Sequence, residues 1–230
     1  MSGGKAVLLV GSPRCERSNS YAIGSFLLDR LQEQGIHTDS LFLSRLAAHG
    51  GIEKLLAVIE DVDIIIFASP LYVDSLPSSV IRTFEQVREN RTERQSYKKQ
   101  RFIAILNSGF PEPSQSRVAI DICRRMAIEC GMTWEGGITV GMGTAIGSQP
   151  LEKTGGVTSS LRKGLRLVSA SLVADVPVQG DALSLASKPF VPLFVARMML
   201  VLMGRRSWHS QVAEKIVLQK MKDRPYESKD

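Results

Sequence analysis

A group of polar residues follows the first apolar run of the chain. The run covers Lys5–Val10, Gly11 ends it, and the polar residues are Ser12, Arg14, Ser18, Asn19 and Ser20. An apolar pattern at helical spacing comes next, so these side chains stand between a buried strand and a helix start. A helix N-terminus offers free N–H groups to an anion, and hydroxyl and guanidinium groups add donors. The pattern predicts a phosphate site over residues 11–20, although Ser18, Asn19 and Ser20 are also typical of a plain helix cap.

This segment lacks the sequences of the common nucleotide sites. It contains neither Gly-x-Gly-x-x-Gly nor Gly-x-x-x-x-Gly-Lys-Ser/Thr, which counts against a dinucleotide Rossmann site and a nucleoside triphosphatase. The chain also has no Gly-x-Ser-x-Gly and no His-Glu-x-x-His, so a hydrolase and a zinc protease are unsupported. A mononucleotide phosphate is the remaining interpretation.

Three further small or polar runs follow later apolar runs. They are Ser-Pro-Leu-Tyr at 69–72, Asn-Ser-Gly-Phe at 107–110 and Gly-Met-Gly-Thr at 141–144. Pro70 and Tyr72 offer a wall for a planar ring, since aromatic and backbone groups provide stacking and directed hydrogen bonds. By itself the run at 69–72 is an ordinary strand-to-helix turn. It indicates a ring site only because it follows the third strand while the phosphate segment follows the first. We leave open whether the glycines of the last run shape a substrate loop or only turn the chain.

The elements that must position these loops alternate along the chain. Strand patterns cover Lys5–Val10, 38–43, 63–68, 102–106 and Thr133–Val140. Each is followed by apolar residues at helical spacing, such as Ile23, Leu27 and Leu31 in the first helix. Five strands alternating with five helices predict an α/β fold with a doubly wound parallel sheet. Ligands of such sheets bind at the carboxyl ends of the strands, where all four loops fall.

Charge and cysteine content exclude several classes of protein. The net charge is +6, from 29 basic and 23 acidic residues, and +4 of it lies from Arg197 onward. Only Trp208 and Tyr226 accompany this basic tail, so no nucleic-acid surface is predicted. The odd number of cysteines, without the spacing of a metal cluster, indicates a reducing compartment; they are Cys15, Cys123 and Cys130.

Neither apolar end of the chain predicts a membrane protein. The N-terminal run is too short for a signal peptide. The stretch 190–203 is interrupted by Pro192 and Arg197 and is shorter than the ~18 residues of a membrane span. We therefore expect a cytoplasmic protein without a transmembrane segment, and a homo-oligomer formed through this C-terminal apolar segment or through sheet-edge helices.

Two motifs together resemble the NAD(P)H-dependent FMN reductase family. They are Gly-Ser-Pro-Arg with Ser18-Asn19-Ser20, and Ala-Ser-Pro-Leu-Tyr-Val-Asp-Ser-Leu-Pro at 68–77, and the similarity covers about residues 5–175. The resemblance implies a flavodoxin-like fold with strand order 2-1-3-4-5. It also implies that the FMN phosphate is held by Ser12, Arg14, Ser18, Asn19 and Ser20. The isoalloxazine would be lined by Pro70, Leu71, Tyr72 and Val73, with a third wall from Asn107, Ser108 and Gly109.

The sequence departs from the family pattern at the ring end. Many relatives carry Gly where this chain has Val73 or Asp74, and a Thr-Gly-Gly type loop where it has residues 107–110. Phe110 would narrow the flavin edge or stack on it. We expect an FMN domain over residues 1–175, a linker over 176–187 and a helical extension over 188–230.

The resemblance implies an FMN-dependent oxidoreductase that passes electrons from NADPH or NADH to a quinone, a flavin or a similar small acceptor. No side chain is assigned a catalytic role and no metal site is expected. Two alternatives stay open: a flavodoxin-type electron carrier without nicotinamide turnover, and a flavin-free interaction protein on the same scaffold. The basic tail and the extra C-terminal residues favour the enzyme over the carrier, since carriers tend to be shorter and acidic.

Overall fold

A five-stranded, fully parallel sheet forms the centre of the computed structural model. Its strands are β1 Lys5–Val10, β2 His37–Phe42, β3 Ile64–Pro70, β4 Arg101–Asn107 and β5 Thr133–Val140. They stand in the order β2-β1-β3-β4-β5, so the predicted doubly wound sheet with order 2-1-3-4-5 is confirmed. The three central strands carry apolar residues without alternation because helices cover both faces of the sheet.

The helices divide between the two faces of the sheet. They are α1 Asn19–Gln32, α2 Leu43–Ala48, α3 Ile52–Asp61, α4 Ser78–Glu93, α5 Arg117–Glu129, α6 Ser159–Val173 and α7 Gly180–Ala186. On one face α1, α6 and α7 bury Leu8 and Ile66, and on the other α3, α4 and α5 bury Val7 and Phe67. Short 3-10 helices lie at Cys15–Arg17, Pro113–Ser116, Gly143–Ile146 and Leu151–Thr154.

The structure describes residues 4–48, 51–93, 98–198 and 201, and it divides the chain into two units. The first unit is Met1–Phe190 and contains the sheet. The second is Val191–Asp230, of which the described part includes a helical segment over 193–198. Most of the predicted extension, including the basic tail after residue 201, lies outside the described residues. No helix in the described ranges is long and apolar enough to cross a membrane.

The segment 176–187 is not a linker, contrary to the sequence prediction. Its residues 180–186 form α7, and Ala182 and Ala186 are buried in the core with α1 and α6. The packing is close enough that a Cβ on Gly164 of α6 would lie 2.4 Å from the backbone N of Ala186. On the sheet, Leu183 covers Gly136 of β5. The first unit therefore continues beyond the predicted boundary at residue 175.

A buried ion pair holds the chain between α6 and α7. Arg101 donates from Nε to Glu135 Oε1 at 2.7 Å, and the side chains are 13% and 5% exposed. The same guanidinium donates to the carbonyl of Leu172 in the last turn of α6 at 3.1 Å, and to that of Val176, just after the helix, at 2.6 Å. Glu135 Oε2 accepts from the backbone N–H of Val178 at 3.0 Å. One charge pair thus joins β4, β5 and the turn into α7.

Glycine at position 164 is a test of how α7 docks. Ala would normally favour a helix by about 1 kcal/mol over Gly. Here we expect Gly164→Ala to lower the free energy of unfolding by about 1–3 kcal/mol, because the new methyl overlaps the backbone of Ala186. Gly156→Ala is the control, since its Cβ would meet nothing within 4 Å. Urea denaturation measures both variants, and a Gly164→Ala protein as stable as the control would contradict the docking of α7.

Glu135 makes the stability of the unit depend on pH. Burial by itself raises the pKa of Glu135, but the bonds from Arg101 and the Val178 N–H outweigh it and hold the pKa below 4.5, its ordinary value. A lowered folded pKa contributes stability that is complete above 4.5 and is lost as the pH falls through the folded pKa. We expect Glu135→Gln to cost about 3 kcal/mol at pH 7, because it leaves the buried guanidinium with only the exposed Asp175, at 3.4 Å, as a counter-charge, and to cost less as the pH falls toward 3.

Denaturant titrations at pH 7, 5 and 3 measure this difference for wild type and Glu135→Gln. Glu53→Gln, on the exposed face of α3, is the matched control for removal of a carboxylate. A constant difference over the three pH values would show that the pair with Arg101 is not its source.

Candidate functional site

Four loops meet at the carboxyl edge of the sheet. We call them the β1 loop (residues 11–18), the β3 loop (71–77), the β4 loop (108–112) and the β5 loop (141–150), each after the strand that precedes it. Since the strands are parallel, all four loops leave the sheet at the same edge. This is where the sequence predicts the ligand site.

Backbone hydrogen bonds join neighbouring loops into one rim. Leu71 N–H donates to Asn107 O at 2.9 Å, which links the β3 loop to the end of β4. Gly143 N–H donates to Ser108 O at 2.8 Å, and Met142 N–H to Phe110 O at 3.0 Å, which links the β4 and β5 loops. A Cβ on Gly11 would lie 2.6 Å from Ser69 Oγ, so glycine is needed where the β1 loop passes the end of β3.

Ser18 is the N-cap of α1. Its Oγ accepts from the N–H of Tyr21 at 3.1 Å and donates to Cys15 O at 2.6 Å, and the residue is 2% exposed. Both capacities of this hydroxyl are thus used inside the protein. Of the two sequence interpretations of Ser18, the structure supports the cap, which stabilises a helix by about 1 kcal/mol.

The next two residues hold other loops. Ser20 Oγ donates to Asn107 Oδ1 at 2.7 Å, and both residues are buried. Asn19 Oδ1 accepts from the N–H of Ser148 at 2.7 Å and from its Oγ at 3.1 Å. The first turn of α1 is therefore fixed to the end of β4 and to the β5 loop.

The donors left for an anion lie around this turn. The first turn of a helix has N–H groups without intrahelical partners, and those of Asn19 and Ser20 bond to no described residue. Arg14 is exposed, and its guanidinium makes no hydrogen bond or ion pair within the described ranges. Ser12 is buried; its Oγ accepts from Arg14 N–H at 3.3 Å and donates to no described residue. This set, with the helix dipole, fits a phosphate group.

The one acidic side chain of the β1 loop is already paired. Glu16 accepts from Arg45 of α2 through both oxygens, at 2.7 and 2.6 Å. The hydrogen bond from Arg45 lowers the pKa of Glu16 and keeps it ionised. Because Arg45 neutralises this carboxylate, it does not oppose the binding of an anion by Arg14. The neighbouring Cys15 is buried with Sγ 3.5 Å from Ser44 Oγ, which links the loop to α2.

The β3 loop contains a tight turn with a strained backbone. Tyr72 and Ser75 exchange backbone hydrogen bonds at 2.8 and 3.2 Å, and between them Val73 and Asp74 have φ of 50° and 60°. Two consecutive left-handed residues define a type I′ turn, which favours Asn and Gly and strains a β-branched residue. Val73 is 99% exposed, so it can contact a ligand only through its backbone or through the solvent-exposed methyl groups of its side chain.

Aromatic surface lies on two of the loops. Tyr72 is 48% exposed and Phe110 57%, whereas Pro70 and Leu71 are half-buried. Ser108 is buried with its Oγ donating to Phe110 O at 2.9 Å, and Gly109 is exposed. The N–H groups of Val73 and Asp74 bond to no described residue. Exposed rings and unpaired N–H groups fit a planar heterocycle that stacks and accepts hydrogen bonds.

Sequence reasoning missed Ser148. It lies in the β5 loop, for which the sequence indicated only a glycine-rich turn or substrate loop, and nothing in the local sequence distinguishes this serine from others. Its bond to Asn19 spans 129 positions of the chain, so only the fold reveals it.

Within the described residues no group of three or more His, Cys, Asp or Glu stands close enough to hold a metal ion.

The fold is similar to several solved flavoproteins. An FMN-dependent NADH-azoreductase from Bacillus anthracis, in complex with FMN, is 10% identical with a TM-score of 0.54 and covers 74% of this chain and 99% of its own. An NADH:FMN oxidoreductase in its apo form is 9% identical with a TM-score of 0.55, covering 78% and 93%. A WrbA-like flavodoxin from Agrobacterium tumefaciens is 12% identical with a TM-score of 0.52, covering 76% and 97%. At these identities the likeness establishes the flavodoxin-like fold.

Sequence comparison gives the family. No curated protein is similar enough in sequence to match the chain. The NADPH-dependent FMN reductase family matches residues 5–145, which is more than half of the 230 residues and includes the first turn of α1 and the strained turn after Tyr72. The resemblance predicted from these two motifs is thereby confirmed, and the chain belongs to the NADPH-dependent FMN reductase family.

Proposed function

We propose that the chain is an FMN-dependent oxidoreductase that takes electrons from NADPH or NADH and passes them to a quinone, a flavin or a similar small acceptor. The observation that carries the proposal is the set of unpaired donors around the first turn of α1, at the same edge of the sheet as exposed aromatic side chains, in a member of an FMN reductase family. A phosphate and a planar ring are the two ends of FMN. The azoreductase and the NADH:FMN oxidoreductase among the structural neighbours agree with this chemistry.

The protein's part is to bind and orient. The N–H groups of Asn19 and Ser20, the Ser12 hydroxyl and the Arg14 guanidinium would hold the phosphate, since charge-assisted hydrogen bonds are the strong ones. The turn at Val73 would set its unpaired N–H groups toward the ring, and Tyr72 would supply contact surface. FMN itself would supply the redox chemistry, accepting a hydride and giving up electrons. No protein acid or base is required.

The site residues are therefore assigned unequal tasks. Among the predicted phosphate ligands, Ser18 and Ser20 use their hydroxyls inside the protein, and we propose that they act by shaping the loop. The third-wall residues Asn107 and Ser108 are likewise bonded within the rim. Pro70, Leu71 and Gly109 stay predicted ring contacts. The free and buried state of all three cysteines fits the reducing, cytoplasmic location that we also propose.

Replacement of Arg14 tests the phosphate end. We expect Arg14→Ala to weaken FMN binding about ten-fold or more, because one charge-assisted hydrogen bond is lost, and to leave riboflavin binding unchanged, since riboflavin has no phosphate. Quenching of flavin fluorescence on titration measures both affinities. Arg124→Ala, on the exposed side of α5, is the charge-matched control. An unchanged preference for FMN over riboflavin in Arg14→Ala would contradict the assignment.

Turnover tests the enzyme against the electron carrier. We expect the FMN-loaded full chain to oxidise NADPH or NADH in the presence of a quinone, with the bound flavin reduced by the nicotinamide alone under anaerobic conditions. Absorbance of the nicotinamide and of the flavin follows the two half-reactions separately. If a range of quinones, free flavins and azo compounds supports no oxidation while FMN stays bound, the carrier is the correct function.

A further inference from the structure

The side chain of Asn19 faces two loops at once. Asn19 is the first residue of α1, in the turn proposed to hold the phosphate. Its Oδ1 accepts two hydrogen bonds from Ser148 in the β5 loop, at 2.7 Å from the backbone N–H and 3.1 Å from the hydroxyl. One amide group thus stands between the phosphate end of the site and a loop that follows a different strand.

Chemistry fixes the orientation of this amide. A backbone N–H can only donate, so the Asn19 atom that faces Ser148 N must be the oxygen. The Nδ2 group is then directed away from that bond, and it donates to no described residue. Because one end of the amide is held by the β5 loop, the other end is a donor in a set direction rather than a freely rotating one.

The β5 loop contains a strained backbone conformation that the hydrogen bonds to Asn19 stabilise. Gly147 and Ser148 are consecutive left-handed residues, with φ of 65° and 57°. Glycine adopts this conformation freely, whereas a serine there costs about 1–2 kcal/mol. The fully buried Ile146 anchors the loop just before this point. The two bonds to Asn19 hold Ser148 in the strained conformation.

We propose that Asn19 is a positioning residue that couples phosphate binding to the conformation of the β5 loop. Phosphate on Nδ2 and the first-turn N–H groups would immobilise the amide, and its Oδ1 would then hold Ser148 more firmly. Coupling is reciprocal, so a loop held in this conformation raises the affinity for the phosphate. Resting on the proposed function, this inference means that a phosphorylated flavin orders the β5 loop and riboflavin does not.

Hydrogen exchange of the full-length chain tests the coupling. We expect saturating FMN, and inorganic phosphate as the separate probe, to slow exchange of the amides over 147–149 by about five-fold or more, in the usual range of coupling between sites. Riboflavin at the same saturation should leave these amides near their rate without ligand. If riboflavin slows them as much as FMN, the ring and not the phosphate orders the loop, and the proposal is wrong.

Two substitutions separate the two ends of the amide. Asn19→Asp keeps an oxygen for Ser148 and suits a first helical turn, but replaces the Nδ2 donor by a negative charge. We expect wild-type exchange at 147–149 without ligand and a preference for FMN over riboflavin reduced about ten-fold. Asn19→Ala should exchange faster than wild type at 147–149 without ligand, and should also lose the preference for FMN over riboflavin. If Asn19→Asp exchanges as fast as Asn19→Ala, or keeps the full preference, the assignment is overturned.

A milder variant and the phosphate probe complete the test. Ser148→Ala removes the 3.1 Å bond but keeps the shorter backbone bond, so its exchange should lie between wild type and Asn19→Ala. A structural role for Asn19 alone would weaken FMN and riboflavin equally. If neither flavin binds but inorganic phosphate still slows 147–149, the coupling stands and the proposed function fails. If phosphate has no effect either, both fail.

Discussion

Burial of the central strands on both faces is the constraint on which the rest of the structure depends. Every residue from Ile64 to Ser69 in β3 and from Phe102 to Asn107 in β4 is buried, as is β1 from Ala6 onward. Side chains along such strands must be apolar, because an unpaired polar group there would be costly. Polar residues therefore accumulate where the strands stop, and Ser69 and Asn107 are the first of them. The position of the site follows from the packing of the sheet before any ligand is considered.

Backbone strain is concentrated at the same edge. The described residues contain six non-glycine positions with positive φ, and five of them lie in the β1, β3 and β5 loops: Cys15, Val73, Asp74, Met142 and Ser148. Such conformations persist only where surrounding contacts impose them, and they cluster at functional sites. Here the imposing contacts are visible, as the paired backbone bonds of Tyr72 and Ser75 and the bonds of Asn19 to Ser148. The rim combines strained turns with a rigid support.

The sheet could be predicted from the sequence because its signals are local. Unbroken apolar runs and helical spacing placed the five strands and five main helices within a few residues, and the polar loops followed from parallel topology. The linker prediction failed because Pro177, Gly180 and Asp181 resemble a linker while α7 docks through small residues. Ala182 and Ala186 give no strong apolar pattern. The different roles of the Ser12, Ser18 and Ser20 hydroxyls could not be predicted either. The role of Ser20, for example, depends on a hydrogen bond to Asn107, which is distant in the chain.

The environment of Arg101 sets the minimum length of the folded unit. A chain shortened after Ala174 would retain all five strands and every loop of the site, yet it would lose the Val176 carbonyl that Arg101 binds and the Val178 N–H that Glu135 accepts. Two charges would remain inside with part of their partners removed, and Gly136 would lose the cover of Leu183. A C-terminal truncation that preserves these contacts must therefore leave α7 in place. In this chain a buried guanidinium on the fourth strand makes the sheet depend on residues that follow the last strand by more than thirty positions.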